Sequence, residues 1–333
     1  MERRRLGSSA LEVSRLSLGA MTFGTGMQRI SNVDAAAAER MIERAIDAGV
    51  NLIDTADAYS GGEAEQILAP VLARHRDDLL VATKLGFSGD PARPLSRANV
   101  MTSVAESLHR LRTDRIDVLY LHRPDRSTPI EETFDALDEL VARGMARTVG
   151  VSNWTAGETG YAVGRQRALG GAEPTSVQIY WSLVGREVEH EIVPTCRRLG
   201  LGVVVWSPLA GGYLTGRTDG RRAAWAFPPV IDDVGQQVMA TLRRAAEDLA
   251  VTPARVAIAW LLHQPDVTSV IVGASSLPQL EDNLAAADLA LDDAHLRALD
   301  EASRIAPTYP QWWDAAMGVG AATPPRRSKA QTH

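Results

Sequence analysis

Short apolar runs alternate with segments of helical periodicity along this chain of 333 residues. Apolar residues three or four positions apart, such as Val104, Leu108 and Leu111, predict amphipathic helices between the runs. The runs themselves are rich in leucine and β-branched residues and predict eight strands: Leu16–Leu18, Asn51–Ile53, Leu79–Ala82, Asp117–Leu121, Thr148–Val151, Ser176–Ile179, Val203–Val205 and Ser269–Val272. Strand and helix therefore alternate, as in proteins built from repeated βαβ units.

Three glycines mark the ends of predicted helices. Gly49, Gly144 and Gly200 each stand shortly before a predicted strand, where a left-handed residue commonly ends a helix. The short connections, the eight strands and the lack of a GxGxxG motif all favour a closed barrel over a doubly wound sheet. We therefore predict an α/β fold, a (β/α)8 TIM barrel.

Segments outside the alternating pattern are expected at the two ends of the barrel. Arg3 to Ser14, with Leu6-Gly7-Ser8-Ser9 between two short runs, predicts an N-terminal β-hairpin that plugs the barrel bottom. Two long stretches, 213–235 and 304–333, are predicted to be non-helical loops that form substrate walls. They carry the aromatic residues Trp225, Phe227, Tyr309, Trp312 and Trp313. We expect one barrel domain over 1–310 and a C-terminal loop over 311–333 that ends in a flexible tail.

Composition narrows the class of protein. A hydrophobic content of 45% suffices for one large core, and a net charge of -6 with no basic stripe argues against nucleic-acid partners. Cys196 is the only cysteine, so no intrachain disulfide or cysteine metal motif can form. No apolar run has the length of a signal peptide or a membrane span. We expect a cytoplasmic protein that binds no metal or membrane and is a monomer or a weak homo-oligomer.

Four reactive residue types follow consecutive predicted strands. Asp54 and Tyr59 follow the second strand, Lys84 the third and His122 the fourth. In a barrel of this kind the active site lies at the carboxyl ends of the strands, so these side chains share one rim. A phenol becomes a usable acid beside an ammonium, and a buried ammonium needs a carboxylate. Each residue alone is typical of ordinary packing or ion pairing, but their joint placement indicates a catalytic site.

Five motifs in the same order resemble those of the aldo-keto reductases, from about residue 3 to about residue 304. The motifs are Gly49-Val-Asn-Leu-Ile-Asp54-Thr-Ala-Asp-Ala-Tyr59, Val81-Ala-Thr-Lys84, Asp117-Val-Leu-Tyr-Leu-His122-Arg-Pro-Asp125, Val149-Gly-Val-Ser152-Asn153 and Trp206-Ser-Pro-Leu-Ala-Gly-Gly-Tyr-Leu-Thr-Gly-Arg217. The resemblance implies an NADPH-dependent enzyme that reduces an aldehyde or ketone of a small molecule to an alcohol. It also implies that Tyr59 protonates the carbonyl oxygen as hydride arrives from the nicotinamide. Lys84 would lower the pKa of Tyr59, Asp54 would fix Lys84, and His122 would orient or polarise the carbonyl.

The same resemblance implies where NADPH or NADP+ binds. Trp206 would stack on the nicotinamide ring, and the carboxamide would contact Ser152, Asn153 and Gln178. Ser207, Leu209 and Gly211 would approach the pyrophosphate, where small or backbone-exposing residues are needed. Arg217, with help from Arg221 or Arg222, would bind the 2'-phosphate. The remaining expected cofactor contacts are Gly19, Met21 and Asp54 and, at the adenosine end, Gly273, Ser275, Gln279, Asp282 and Asn283.

Three other functions stay open at this point. A strand-end lysine can form a Schiff base with a carbonyl substrate, so Lys84 could serve a lyase. The Trp206 region also resembles the potassium-channel β subunits of this superfamily, which are regulatory, although their pattern has asparagine at the position of His122. Related reductases act on nucleotide-linked keto or enoyl sugars. The side chains expected to shape the substrate pocket are Met21, Phe23, Phe87, Trp154, Trp181, Trp225 and the aromatics of the C-terminal stretch.

Overall fold

The computed structural model describes residues 1–27, 30–216 and 229–319. Its strands are β1 Arg3–Arg5, β2 Glu12–Ser14, β3 Leu16–Gly19, β4 Leu52–Asp54, β5 Leu80–Leu85, β6 Ile116–Leu121, β7 Ala146–Ser152, β8 Pro174–Tyr180, β9 Gly202–Trp206 and β10 Val267–Val272. Strands β3 to β10 form a closed barrel in the order β10-β3-β4-β5-β6-β7-β8-β9. Every neighbouring pair in the barrel is parallel. The predicted (β/α)8 barrel and its eight strands are confirmed.

Helices follow the strands on the outside of the barrel. They are α1 Ala35–Asp47, α2 Glu63–His75, α3 Arg97–Leu111, α4 Ile130–Ala142, α5 Ala156–Leu169, α6 Ile192–Leu199, α7 Asp232–Asp248, α8 Pro253–Leu262, α9 Leu277–Leu284, α10 Asp293–Ala302 and α11 Gln311–Ala316. Short 3-10 helices lie at Tyr59–Gly62, Glu187–Glu189, Ala210–Thr215 and Ala285–Asp288. Within the described part of the chain, none of these helices has the length and apolar content to cross a membrane.

The helix ends follow the local chemistry of the sequence. Gly49, Gly144 and Gly200 have φ values of 86°, 70° and 74°, so the predicted left-handed helix ends are confirmed. At the start of α5, the Thr155 hydroxyl accepts from the Glu158 amide while the Glu158 carboxylate accepts from the Thr155 amide. These reciprocal bonds satisfy backbone groups that a helix end leaves unpaired, and they fix where the connection from β7 to α5 ends.

The core has two layers, one inside the barrel and one between the barrel and the helices. The inner layer contains buried side chains of the strands and of the N-terminal hairpin: Leu6, Leu11, Val13, Leu52, Ala82, Val118, Tyr120, Val204 and Ile271. Because strand residues are buried on both faces, the strands appear in the sequence as continuous apolar runs rather than as alternating ones.

The N-terminal hairpin closes the bottom of the barrel, as predicted. β1 and β2 pair antiparallel with Arg3 opposite Ser14, and Leu6 and Val13 are fully buried. At the turn, Gly7 has a φ of +55°, and a β-carbon there would lie only 1.9 Å from the carbonyl oxygen of Thr175 in β8. The turn therefore needs a glycine both for its backbone conformation and for its contact with the barrel wall.

Each of the two long stretches predicted to be a non-helical loop contains helical residues. In 304–333 the helix α11 lies within the part expected as a loop, and none of its residues is buried. In 213–235 the chain ends the 3-10 helix Ala210–Thr215 and begins α7 at Asp232. The prediction was wrong for α11 because a helix without a buried face has no apolar periodicity to detect. Trp225, Phe227 and residues 320–333 lie outside the described residues.

Replacement of Gly7 by alanine tests how tightly the plug is seated. We expect Gly7→Ala to lower the free energy of unfolding by about 2 kcal/mol or more, because the added methyl group overpacks the plug against β8. Gly144→Ala is the matched control: its φ is +70° and open space surrounds its β-carbon position. It should cost only the left-handed strain of about 1 kcal/mol. Urea denaturation of both variants measures the difference, and equal losses would contradict the tight contact.

Candidate active site

Three adjacent strands and one short helix bring the four predicted catalytic residues together. Asp54 is the last residue of β4, Lys84 lies near the end of β5, and His122 directly follows β6. Tyr59 begins the 3-10 helix that follows β4. Since the strands are parallel and in register, their carboxyl ends form one edge of the barrel.

The ammonium of Lys84 is the centre of this group. Lys84 is 1% exposed, and its Nζ donates to Oδ1 of Asp54 at 2.5 Å and to the carbonyl oxygen of Thr55 at 2.8 Å. A third contact joins Nζ to the hydroxyl oxygen of Tyr59 at 3.3 Å. These three bonds match the three protons of an ammonium group. The Thr55 carbonyl is a partner that the sequence did not reveal, because a backbone group carries no residue-type signal.

The charges of this pair depend on each other. Burial lowers the pKa of Lys84, but the Asp54 carboxylate and the Tyr59 hydroxyl outweigh it and hold that pKa above its ordinary value. Burial raises the pKa of Asp54, and this effect is opposed by Lys84 and by Gln178, which donates from Nε2 to Oδ2 at 2.7 Å. Both carboxylate oxygens of Asp54 are therefore hydrogen bonded, and Lys84 is held in its charged form.

His122 lies beside the Tyr59 ring and is uncharged. The two ring centres are 5.9 Å apart at 80°, an edge-to-face contact. Burial, with the charges of Lys84 and Arg123, lowers the pKa of His122 to about 2, so the imidazole is neutral throughout the physiological range. Its Nδ1 atom is buried and has no hydrogen-bond partner among the described residues.

Trp206 and Asn153 lie on the same rim at the ends of β9 and β7. Trp206 donates from Nε1 to Oδ1 of Asn153 at 3.1 Å, and Asn153 donates from Nδ2 to the His122 carbonyl oxygen at 3.0 Å. Asn153 adopts a φ of 61°, which favours asparagine among non-glycine residues. The Asn153 amide therefore links the Trp206 ring to the strand that carries His122, and Ser152 beside it is almost fully buried.

The turn after β9 has an unusual backbone. Ser207, Ala210, Gly211 and Gly212 all have positive φ values, from 49° to 98°. The amides of the turn are bonded within it: those of Ala210 and Gly212 donate to the carbonyl oxygens of Ser207 and Leu209, at 2.9 and 3.0 Å, and that of Gly211 donates to Ser207 Oγ at 3.0 Å. A β-carbon on Gly212 would meet no atom within 4 Å, so there is open space at this turn. Leu209, which lies within this turn, packs against the core.

The loop between β10 and α9 is held by its own side chains. The amide and hydroxyl of Ser275 both donate to Oε1 of Gln279, at 3.0 and 2.9 Å. Asn283 donates to the Gly273 carbonyl oxygen at 3.2 Å. Asp282 accepts two bonds from Arg255 of α8, at 3.1 and 2.7 Å. Arg255 was missed from the sequence because an arginine in the first turn of a helix is typical of a solvated surface.

Several residues that were predicted to contact cofactor or substrate have a different environment in the structure. A β-carbon on Gly19 would lie 2.8 Å from Cγ2 of Ile271, so close strand packing already requires this glycine. Phe23, Trp154 and Trp181 are buried in the core rather than displayed on the rim, whereas Met21 is partly exposed and Phe87 is exposed beside His122. Arg217, Arg221 and Arg222 lie outside the described residues.

A second buried charge cluster lies between β5 and the helices α2 and α3 and was not predicted. Glu65 of α2 is fully buried and accepts from Thr83 Oγ1 at 2.6 Å and from Arg110 Nε at 2.6 Å. Asp57 lies against this cluster, and neither of its oxygens has a hydrogen bond of normal geometry among the described residues. Burial and Glu65 raise the pKa of Asp57 to about 7, while Arg110, the Ala58 amide and Ser88 oppose the shift. Charges buried between a strand and two helices leave no pattern in the sequence.

The described residues contain no group of three or more histidine, cysteine, aspartate or glutamate side chains that could hold a metal ion. The sequence matches the profile of the aldo/keto reductase family over residues 15–304. It is also similar to a protein of Arabidopsis thaliana named probable voltage-gated potassium channel subunit beta. The two sequences are 36% identical over 308 residues, and the aligned region covers 87% of this chain and 92% of that protein. A protein of the same name from Oryza sativa subsp. japonica is 37% identical over 308 residues, with the same coverage.

The protonation of Asp57 should make stability depend on pH. Its pKa rises from an ordinary 3.8 to about 7 in the folded protein, so folding takes up a proton between these values and stability falls as pH rises through them. Asp57→Asn cannot titrate. We therefore expect the melting temperature of the variant to rise relative to wild type from about pH 4 to about pH 7 and to stay level above that.

Asp125→Asn is the matched control with the opposite sign. Burial raises the pKa of Asp125, but hydrogen bonds from the hydroxyl and amide of Ser127 and from the Leu95 amide outweigh it and lower that pKa to about 2. Wild type should therefore gain stability over this variant as pH rises from about 2 to about 4. Thermal denaturation across pH measures both differences, and a difference between Asp57→Asn and wild type that is constant with pH would contradict the assignment.

Proposed function

Because this chain belongs to the aldo/keto reductase family, we propose that it reduces an aldehyde or ketone group of a small molecule to the alcohol with NADPH, and that Tyr59 is the proton donor. The observation that carries the proposal is the contact of Lys84 Nζ with both the buried Asp54 and the hydroxyl of the half-buried Tyr59. This contact unites an acid with the cation that stabilises its conjugate base.

In this proposal the proton moves from Tyr59 to the substrate beside the charged pair of Lys84 and Asp54. When bound, the nicotinamide supplies the hydride that reaches the carbonyl carbon. The Tyr59 hydroxyl gives its proton to the carbonyl oxygen, and the phenolate that remains lies beside the Lys84 ammonium. Asp54 keeps that ammonium charged and in place, so the positive charge faces the oxygen where negative charge develops.

His122 supplies a second hydrogen bond to the same oxygen. We place the proton of the neutral imidazole on Nε2, because the buried Nδ1 has no acceptor among the described residues to which it could donate. With this tautomer Nε2–H can donate to the carbonyl oxygen. A donor of this kind typically contributes a few kcal/mol to lowering the barrier.

The residues present fit a dinucleotide along the rim from β7 to β10. The Trp206 ring offers a face for the nicotinamide, with Ser152 and Gln178 nearest to its carboxamide. Asn153 would need to exchange its present bonds to join them. For the pyrophosphate we propose the turn Ser207–Gly212, where open space at Gly212 allows a close approach and the Gly211 amide would exchange its bond to the Ser207 hydroxyl. For the adenosine end we propose the β10–α9 loop, with Ser275, Gln279 and Asn283, and with Arg255 held beside it by Asp282.

The charge state of Lys84 argues against a Schiff-base lyase. Such an enzyme needs an uncharged, desolvated lysine, whereas Asp54 keeps Lys84 protonated here. A cofactor-binding regulatory subunit is the second candidate, because two relatives carry the name of potassium-channel β subunits. The complete set of Asp54, Tyr59, Lys84 and His122 favours the enzyme.

A turnover screen separates these functions. The purified protein is incubated with NADPH or NADH and with aldehydes, ketones, quinones and keto-sugars, and cofactor oxidation is followed at 340 nm. We expect NADPH oxidation that depends on a carbonyl substrate, at a higher kcat/KM than with NADH. Tight NADPH binding without turnover on any carbonyl would instead support the regulatory subunit. Borohydride trapping of a substrate on Lys84 without NADPH oxidation would overturn the reductase proposal.

A further inference from the structure

Arg123 follows His122 in the chain and lies at the mouth of the site. Its Cζ atom is 4.7 Å from the centre of the Phe87 ring. The same ring meets the His122 imidazole at 4.7 Å between centroids and 85° between planes. The distance from the guanidinium carbon to the Phe87 ring centre and the distance from that ring centre to the imidazole centre are both 4.7 Å. The guanidinium carbon therefore lies at most twice 4.7 Å from the imidazole centre. A permanent cation therefore stands close to the place where the carbonyl would react.

The guanidinium of Arg123 is held in one orientation. Its Nε donates to the Gly86 carbonyl oxygen at 3.1 Å, and its plane lies over the Phe87 ring. Within residues 1–27, 30–216 and 229–319, its two terminal nitrogens make no hydrogen bond. An arginine fixed by its Nε and by an aromatic surface presents these nitrogens as a preorganised pair of donors.

The charge of Arg123 is not neutralised by an acidic side chain of the described residues. Asp125, two positions further on, uses its oxygens on the Leu95 amide at 3.0 Å and on the amide and hydroxyl of Ser127 at 2.8 and 2.5 Å. At the catalytic centre Asp54 is already paired with Lys84 and His122 is neutral. No carboxylate of the described residues is therefore paired with this guanidinium, and the anionic group of a substrate can take that place.

We propose that Arg123 selects carbonyl substrates that carry a carboxylate or another anionic oxygen-acid group a few bonds from the reacting carbonyl. A carboxylate accepts two parallel hydrogen bonds from the terminal nitrogens of a guanidinium, a stronger arrangement than a contact with a point charge. Phe87 adds an apolar surface for the part of the substrate between the carbonyl and the anion. This inference rests on the proposed function and names the substrate class of the same site.

If Arg123 acted only by keeping His122 neutral and did not bind substrate, loss of Arg123 would have a different effect on the reaction. The Arg123 charge helps to keep His122 neutral, and the Phe87 ring lies between the two side chains. If this were all, loss of Arg123 would slow reduction of every carbonyl by the same factor. Discrimination between an anionic substrate and a neutral one of nearly the same shape therefore separates the two explanations.

The experiment compares 4-formylbenzoate with its methyl ester, which has the same aldehyde and no charge. We expect wild type to prefer the carboxylate in kcat/KM, and Arg123→Gln to reduce the ratio of the two kcat/KM values about tenfold. Arg126→Gln is the matched control, because Arg126 is 83% exposed and its Nε is 3.9 Å from a carboxylate oxygen of Glu158. This variant should keep the wild-type ratio. Raising the salt concentration should reduce the wild-type preference.

Two results would overturn the inference. One is a wild-type enzyme that uses both aldehydes equally well, and the other is an equal loss on both aldehydes in Arg123→Gln. The proposed function fails separately, if no carbonyl compound of the turnover screen oxidises NADPH. If neither aldehyde is reduced, the inference is tested by calorimetric titration with 4-(hydroxymethyl)benzoate. Weaker binding of this carboxylate to Arg123→Gln than to wild type supports the inference, and equal binding contradicts it.

Discussion

The buried ammonium of Lys84 is the charge around which the rim of this barrel is arranged. Removing a lysine and an aspartate from water costs several kcal/mol for each ion, and only close partners offset that cost. Lys84 has such partners in Asp54, the Thr55 carbonyl and the Tyr59 hydroxyl. The bond from Gln178 occupies the remaining oxygen of Asp54. A charge satisfied in this way stays in place without water, which a proton-transfer site requires.

Closure of the barrel makes this arrangement possible. Asp54, Lys84 and His122 come from three neighbouring strands, and Gln178 reaches Asp54 from β8 although 124 residues separate them in sequence. The parallel register fixes the height of each residue, and the hairpin with Leu6 and Val13 fills the opposite end. The proposed catalytic groups therefore lie at or near strand ends held by a packed interior, and the loops above them are the parts of this fold that commonly recognise substrate.

Much of this could be predicted from the sequence, for physical reasons that particular residues illustrate. Strands such as Ile116–Leu121 are buried on both faces and produce apolar runs, and polar residues directly after such runs indicate the rim. Helix Gln311–Ala316 buries no residue and left no periodicity. The charge repulsion between Asp57 and Glu65 and the position of Arg123 over the Phe87 ring depend on which elements become neighbours. Tertiary contacts of this kind are not encoded in local patterns.

The central claim is that Tyr59 donates the proton while the rest of the site binds cofactor and substrate. The most direct measurement compares kcat and the NADPH dissociation constant of Tyr59→Phe with those of wild type, because this change removes only the hydroxyl oxygen and keeps the ring beside His122. We expect kcat to fall at least about 100-fold, while NADPH binding changes little. A variant that binds NADPH tightly and turns over at the wild-type rate would contradict the central claim.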